Sequence, residues 1–269
     1  MKNYILYAMT FLLLWSCVIS SCAQGSKQEL NSGVEIIGHR GAAYLAPENT
    51  LASVLKAVEL GADAVEVDIY LSKDNRIVVI HDATTNRTTS QNLVVAETNY
   101  SELSKLDAGS YKSPEYSGEK IPLLEDILDR LPDDINIYIE VKETVRIIPY
   151  LKLLLDKHPR KHQFRIIAFD IETISEAKKQ MASIPCYYLK SSISKEQYSS
   201  FVDELIKRGL DGADLHHSTI TPKLVKKLKQ AGLPCLAWTV NTVDEAHSLV
   251  KMGVVGITTD RPGLLKNSL

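Results

Sequence analysis

The sequence predicts a closed barrel of eight parallel β-strands wrapped by helices, on three observations. An amphipathic run, a glycine and a short apolar run recur as KAVELGADAVEVD, LIKRGLDGADL, KKLKQAGLPCLAW and SLVKMGVVGITTD, with Gly61, Gly209, Gly232 and Gly253 where a helix C-terminal glycine belongs. Eight strand-like runs alternate with helical ones, the grammar of helices feeding buried parallel strands. Set against the 269 residues of the chain, the length left after an N-terminal export segment is close to the roughly 250 typical of a TIM-type (β/α)8 barrel.

The eight runs are Val34 to His39, Ala64 to Tyr70, Ile137 to Lys142, Arg165 to Phe169, Tyr187 to Lys190, Gly212 to Leu215, Leu236 to Val240 and Gly256 to Thr259. A ninth, Ile77 to His81, follows Tyr70 after only LSKDNR. That link is too short for a helical crossover, so the run folds back as an extra antiparallel hairpin strand. The helix after His39 carries Leu51, Val54, Leu55 and Val58 on one face, with Asn49 or Thr50 as its cap behind Pro47. The stretch 83–120, rich in Thr, Ser and Tyr, is too long for an ordinary connection and reads as a small insertion over the barrel mouth. Residues 34–269 thus form one barrel domain.

The opening MKNYILYAMTFLLLWSCVISSC has one charge at Lys2, an apolar run from Ile5 to Ile19 and small residues before Cys22. It is an export signal, too short for a spanning helix, which needs about 20 apolar residues. Its ISSC ending resembles a bacterial lipoprotein processing box. The expectation is a signal peptide over 1–21, acylated Cys22 as the mature first residue, and a polar tether over 22–33; cleavage near Ala23 as a simple secretory signal is the alternative. Either way the mature protein lies outside the cytoplasm, and the lipoprotein reading anchors it in a bacterial cell envelope on the periplasmic or extracellular face. Loss of Lys2 moves the net charge from −2 to about −3, which excludes the basic surface a nucleic-acid partner wants.

Cys186 and Cys235 remain in the mature chain. They begin strands two apart in the predicted order, about 9 to 10 Å at the usual strand spacing. That exceeds the roughly 7 Å limit for a bridge, so two free buried thiols are expected.

In AVEVDIY, Glu66 and Asp68 alternate with Val65, Val67 and Ile69; in INIYIEVK, Tyr138, Glu140 and Lys142 alternate with Ile137, Ile139 and Val141. With the apolar sets packed on outer helices, Glu66, Asp68 and Glu140 converge inside the barrel mouth. Like charges so placed need neutralising: either a hard divalent cation on oxygen ligands, or structural ion pairs with Arg40 and Lys142. A hairpin turning near Asp74 and Asn75, with facing residue numbers summing to about 149, sets His81 opposite Asp68. His39 reaches the same mouth from the first strand. Two imidazoles there suit general acid and base work, and Arg40 and Lys142 suit a phosphate.

HRG followed by PENT, then EVD, VIHD, IEVK, WTVN and GITTDRP, spaced in that order from Ile36 to Pro262, closely resembles the glycerophosphodiester phosphodiesterase family. The resemblance implies a TIM-type barrel with an insertion after the HD strand. It implies one divalent cation, Ca²⁺ or Mg²⁺, on Glu66, Asp68 and Glu140, with His39 and His81 as the acid and base pair and Arg40 and Lys142 as phosphate contacts. Glu48 would support the site from outside the ligand set. Trp238 offers an apolar wall for glycerol or its substituent, or simple packing, and Asn241 and Asp260 orient neighbours. Two departures stand on the substrate side. Ala168 lies where relatives commonly have a serine before the phenylalanine, removing one possible hydrogen bond, and His216 and His217 in LHHST have no counterpart role and read as a polar loop.

The expected activity is metal-dependent hydrolysis of glycerophosphodiesters, such as glycerophosphocholine or glycerophosphoethanolamine, to glycerol 3-phosphate and an alcohol. The alternatives are a phosphodiesterase acting on lysophospholipids or other head groups, and a non-catalytic envelope binding module. Intact histidines and acids disfavour the last, since a binding module has no need of them.

Overall fold

The computed structural model describes residues 33–269, so the expected signal peptide over 1–21 and all but the end of the tether over 22–33 lie outside the described residues. Along the chain run β1 (Glu35–Gly38), α1 (Leu51–Glu59), β2 (Ala64–Leu71), β3 (Ile77–Val79), α2 (Tyr100–Leu103), α3 (Leu124–Arg130), β4 (Asn136–Val141) and α4 (Ile148–Lys157). They are followed by β5 (Phe164–Ala168), α5 (Ile171–Gln180), β6 (Cys186–Lys190), α6 (Tyr198–Lys207), β7 (Gly212–His216), α7 (Pro222–Gln230), β8 (Cys235–Trp238), α8 (Val243–Met252), β9 (Gly256–Thr259) and α9 (Pro262–Lys266). The sheet runs β1-β9-β8-β7-β6-β5-β4-β2, and β2 pairs back on β1 to close an eight-stranded parallel barrel. Among the described residues no helix is long and apolar enough to cross a membrane.

The barrel closes through a short first strand, and that shortness makes room for the ninth. Only Ala64 and Val65 of β2 pair with β1, which leaves the later half of that edge to β3, antiparallel through Ile69↔Val79 and Leu71↔Ile77. The register corrects the expected one by a residue: facing numbers sum to 148, so Ile80, not His81, lies opposite Asp68 and donates its N–H to the Asp68 carbonyl at 3.0 Å. The cause is a three-residue turn closed by Ser72 N–H to the Arg76 carbonyl at 2.9 Å, with Asn75 left-handed at φ 58°.

Period-2 alternation sorts the strand residues into two cores. Val65, Val67 and Ile69 join the layer between barrel and helices, while Ile37, Tyr138, Ile167, Leu189 and Leu236 fill the barrel interior. Low down, Glu35 accepts from the Tyr138 hydroxyl at 2.5 Å and the Asn136 amide at 2.7 Å, which satisfies polar groups among apolar neighbours. Gly61, Gly209, Gly232 and Gly253 all take positive φ after α1, α6, α7 and α8, ending each helix before the next strand. On α1 Val54 is buried but Leu55, one residue and about 100° further round, is exposed. Among the described residues Cys186 and Cys235 are free and buried, and burial pushes both thiols up to about 12.

Residues 83–120 pack into a second small core, in which Val95, Leu103, Leu106 and Ala108 meet Ile121 and Leu123 and, from the hairpin, Val78 and Ile80. Asp107 ties it, accepting from the backbone N–H groups of Gly109, Ser110 and Gly118 at 2.8–2.9 Å. The unit grips the loop after β1: Lys112 donates to the Ala43 carbonyl at 2.6 Å, the Tyr116 hydroxyl to the Leu45 carbonyl at 3.2 Å, and Glu48 N–H donates to the Tyr111 hydroxyl at 3.0 Å.

Candidate active site

The turn after β1 takes positive φ at two successive residues, Arg40 and Gly41. Arg40 is left-handed at φ 51°, a conformation a non-glycine residue holds only when its surroundings over-determine it. Its N–H donates to Glu66 Oε2 at 2.8 Å, and its carbonyl accepts from Ser53 Oγ at 2.8 Å and Asn49 N–H at 3.0 Å. Gly41 follows at φ 85°, and a Cβ there would lie 2.4 Å from the Ser53 backbone, so only glycine fits. Thr50 is the α1 cap, accepting from Ser53 N–H at 3.2 Å. Asn49, the other candidate, turns inward at φ 58°: its amide donates to Asp68 Oδ2 at 2.8 Å, and its oxygen accepts from Asp68 N–H at 3.1 Å.

Glu66 and Asp68 on β2 and Glu140 on β4 each aim a carboxylate oxygen into a cluster whose members lie within 4.8 Å of one another, all three residues being buried. Arg40 and Lys142 offset two of the three charges. Arg40 Nε is 3.3 Å from Asp68 Oδ2, and Lys142 Nζ is 2.6 Å from Glu140 Oε1 and 3.5 Å from Asp68 Oδ1. Burial and the charge of Asp68 hold Glu140 up at about 7 despite Lys142; burial with the charges of Asp68 and Glu140 pushes Glu66 well above the carboxylate range. Burial would raise Asp68 too, but Arg40 and Lys142 hold it low. Among the described residues Glu66 Oε1 and Asp68 Oδ1 have no hydrogen-bond partner, and such buried carboxylate oxygens, in a cluster this close, fit a divalent cation that prefers oxygen ligands.

Each histidine has its own orienting carboxylate. His39 Nδ1 donates to Asp260 Oδ1 at 2.7 Å, and Asn241 Nδ2 donates to Asp260 Oδ2 at 2.6 Å. His81 Nδ1 donates to Asp82 Oδ1 at 2.7 Å, and Arg87 Nε donates to Asp82 Oδ2 at 2.6 Å. Both pairings leave Nε2 as the ring nitrogen available to the cavity that both residues line. Burial lowers the His81 pKa first, with Arg40 adding to it against the pull of Asp68. Arg87 also clamps Glu48 at 2.6 and 2.8 Å, and Arg40 holds Glu48 from the other side at 2.7 Å. Asp82 and Arg87 did not emerge from sequence reasoning. Asp82 is signalled by the HD pair itself, whereas Arg87 sits in a stretch without periodicity.

The cavity, about 270 Å³, brings together His39, Arg40, Glu66, His81, Glu140 and Lys142 on one side, with Asp68 buried behind them. The other side is formed by Ile167, Phe169, Leu189 and Trp238. Phe169 and Trp238 meet edge to face at 5.4 Å, and the Trp238 indole donates to the Asp214 carbonyl at 3.3 Å. His216 packs edge-on against Trp238 at 5.0 Å and bonds Ser218 Oγ at 2.8 Å, while His217 pairs with Glu245. Ala168 faces the outer helices rather than the cavity, which Ile167 and Phe169 line, so the missing serine hydroxyl takes nothing from the substrate side.

Residues 39–264 match the model of the Glycerophosphoryl diester phosphodiesterase family. The chain is 32% identical over 239 residues to a glycerophosphodiester phosphodiesterase of Caldanaerobacter subterraneus subsp. tengcongensis, covering 86% of this chain and 96% of that protein. It is 31% identical over 286 residues to a glycerophosphodiester phosphodiesterase of Bacillus subtilis, covering 98% and 97%. A phosphodiesterase from Oleispira antarctica, solved in complex with the product sn-glycerol-3-phosphate, superposes with a TM-score of 0.82 at 30% identity, over 87% of this chain and 96% of that one.

Proposed function

From the premise that this chain belongs to the glycerophosphoryl diester phosphodiesterase family and is an enzyme of that activity, we propose how its own residues carry the reaction and on which diesters. The substrates are glycerophosphodiesters such as glycerophosphocholine or glycerophosphoethanolamine, split into glycerol 3-phosphate and an alcohol. The observation that carries the proposal is the meeting of three buried carboxylates, two carboxylate-oriented histidines, Arg40 and Lys142 in one cavity.

Glu66, Asp68 and Glu140 would hold one divalent cation, Ca²⁺ or Mg²⁺; bound there, such an ion supplies Lewis-acid polarisation of the phosphoryl oxygens. Arg40 and Lys142 supply the cationic contacts for the remaining phosphoryl charge. One histidine takes at Nε2 the proton of the attacker, either water or a substrate glycerol hydroxyl whose cyclic phosphate water then opens, and the other delivers a proton from Nε2 to the leaving alcohol. Asp260 and Asp82 keep each Nδ1 protonated and each ring in register, the orienting role of a carboxylate behind a catalytic imidazole. Phe169 and Trp238 form the wall against which the organic part of the substrate packs.

The test is release of glycerol 3-phosphate by protein lacking residues 1–22, with Mg²⁺, Ca²⁺ or chelator, beside His39→Ala and His81→Ala. Cation-dependent release abolished by both substitutions supports the reading; no turnover with any cation by folded protein overturns it. A second substrate class is favoured by the exposed Tyr44, Leu45 and Tyr111 around the mouth, which suit the acyl chain of a lysophospholipid. Lysophosphatidylcholine in the same assay decides that.

The N-terminal pattern supports export and acylation at Cys22, hence a lipid-anchored enzyme of a bacterial cell envelope on its periplasmic or extracellular face. Incorporation of labelled fatty acid, lost in Cys22→Ser, is the expected result; labelling that survives the substitution refutes it.

A further inference from the structure

Asp214 is a barrel-facing acid that the mechanism above does not use. It sits at the centre of β7, paired in register with Leu189 on β6 and Leu236 on β8, and its neighbours Ala213 and Leu215 pack outward against the helices. It is 1% exposed, yet it lines the cavity on the side formed by Ile167, Leu189 and Trp238. Its Oδ1 has no hydrogen-bond partner among the described residues. Leaving such a group dry and unpaired destabilises the fold, whereas a leucine there would match both strand neighbours. The Asp214 Oδ1 is therefore a polar point in an apolar wall, unanswered among the described residues.

We propose that Asp214 recognises a hydroxyl of the polyol half of the substrate, making the carboxyl group a specificity-determining contact at the foot of the cavity's apolar side. The inference rests on the phosphodiesterase reading and goes beyond it by naming the part of the substrate that enters this side. The phosphoryl group belongs with Arg40 and Lys142 across the cavity, so what reaches Asp214 is an organic substituent. Burial and the charge of Glu140 push the Asp214 carboxyl well above its ordinary range, toward the neutral form. A neutral carboxyl both donates and accepts, as a hydroxyl does, whereas a quaternary ammonium would want the ionised form. The Trp238 indole is held beside this position by donating to the main-chain carbonyl of Asp214 at 3.3 Å. At about 270 Å³ the cavity is at the small end for ligand sites and suits a compact polyol.

The test uses two diesters that share a leaving group, glycerophosphoethanolamine and ethyl phosphoethanolamine, the second lacking both hydroxyls of the glyceryl group. The wild type should favour the glyceryl diester in kcat/KM. Asp214→Leu should erase at least tenfold of that preference, while Asp214→Asn, whose amide still donates and accepts, should keep most of it. Calorimetry should show the same ratio in the binding of sn-glycerol 3-phosphate against ethyl phosphate, with thermal melting to establish folding; Asp214→Ala replaces the leucine variant should that one fail to fold. Equal losses on both diesters, an unchanged preference, or losses that follow choline against ethanolamine would each overturn the inference. A wild type that cleaves neither diester is the separate failure of the phosphodiesterase reading, and the product-binding ratio then still decides whether Asp214 reads the hydroxyls.

Discussion

On β2 and β4 the barrel-facing positions near the mouth carry Glu66, Asp68 and Glu140, whereas on β5, β6 and β8 they carry Ile167, Leu189 and Leu236. The two halves of one barrel thus obey opposite rules. In the second half Ile167, Leu189 and Leu236 add apolar burial and stabilise the fold, at roughly 25 cal/mol per Å², with Asp214 as the exception among them. In the first half three acids are gathered against their own repulsion and offset only in part by Arg40 and Lys142. The contrast teaches where to look for chemistry: the costly half is the one that acts, and the stabilising half shapes what it acts on.

Separating activity from stability in the costly half gives the largest expected effect. Glu66→Gln keeps an oxygen for the Arg40 N–H but removes one of the crowded carboxylates. Turnover should fall about 10³-fold or more, while the melting temperature in chelator rises by about 2–4 °C for each ~1 kcal/mol of repulsion relieved. A variant that loses both activity and stability would erase the contrast between the halves.

Next come the carboxylates behind the histidines. Asp260→Asn and Asp82→Asn should each lower kcat about 10²-fold with KM little changed, because the ring loses its tautomer and orientation rather than its place. Burial would raise the Asp260 pKa, but hydrogen bonds from His39 and Asn241 hold it below the ordinary value. A depressed carboxylate stabilises fully above its unfolded pKa, near 3.9, and loses that contribution as pH falls through the lower folded value. Asp260→Asn should therefore flatten the acid limb of a stability against pH curve, and an unchanged limb would remove Asp260 from the account.

The apolar half should answer in binding instead. Trp238→Ala is expected to raise KM about tenfold with a smaller change in kcat, since it removes packing common to ground and transition states. A kcat loss as large as those of the histidine partners would mean that this wall takes part in the chemistry. The smallest effect is on the helix cap: Thr50→Ala should cost about 1 kcal/mol in a denaturant titration and leave kcat alone.

The same contrast explains what could be read from the chain before its fold was known. Alternation of Glu66 and Asp68 with valines, and of Glu140 with isoleucines, is a period-2 signal that survives into three dimensions, so the strands, the barrel and the convergence of acids were foreseeable. Asp214 carries that signal too, on the predicted strand Gly212 to Leu215 and flanked by Ala213 and Leu215, but a four-residue run with a single acid is too short to establish the alternation. The hairpin register slipped by one because it depends on turn geometry, which Asn75 sets through a backbone angle that composition does not reveal. Arg87 was out of reach for another reason: its partners Glu48 and Asp82 are brought to it by an irregular segment.

That last arrangement bears on engineering. Arg87 is supplied by the insertion, and it ties Glu48, hence Arg40 and the first-strand loop, to Asp82, hence His81 and the hairpin. The insertion is therefore not an accessory that can be trimmed to reach a minimal barrel or exchanged freely to redesign the mouth. A chimera must import a cation at the position of Arg87 with its reach to both carboxylates, or it will inherit a complete set of catalytic groups with no common frame. Portability of this active site is limited by one arginine that touches none of the three clustered acids.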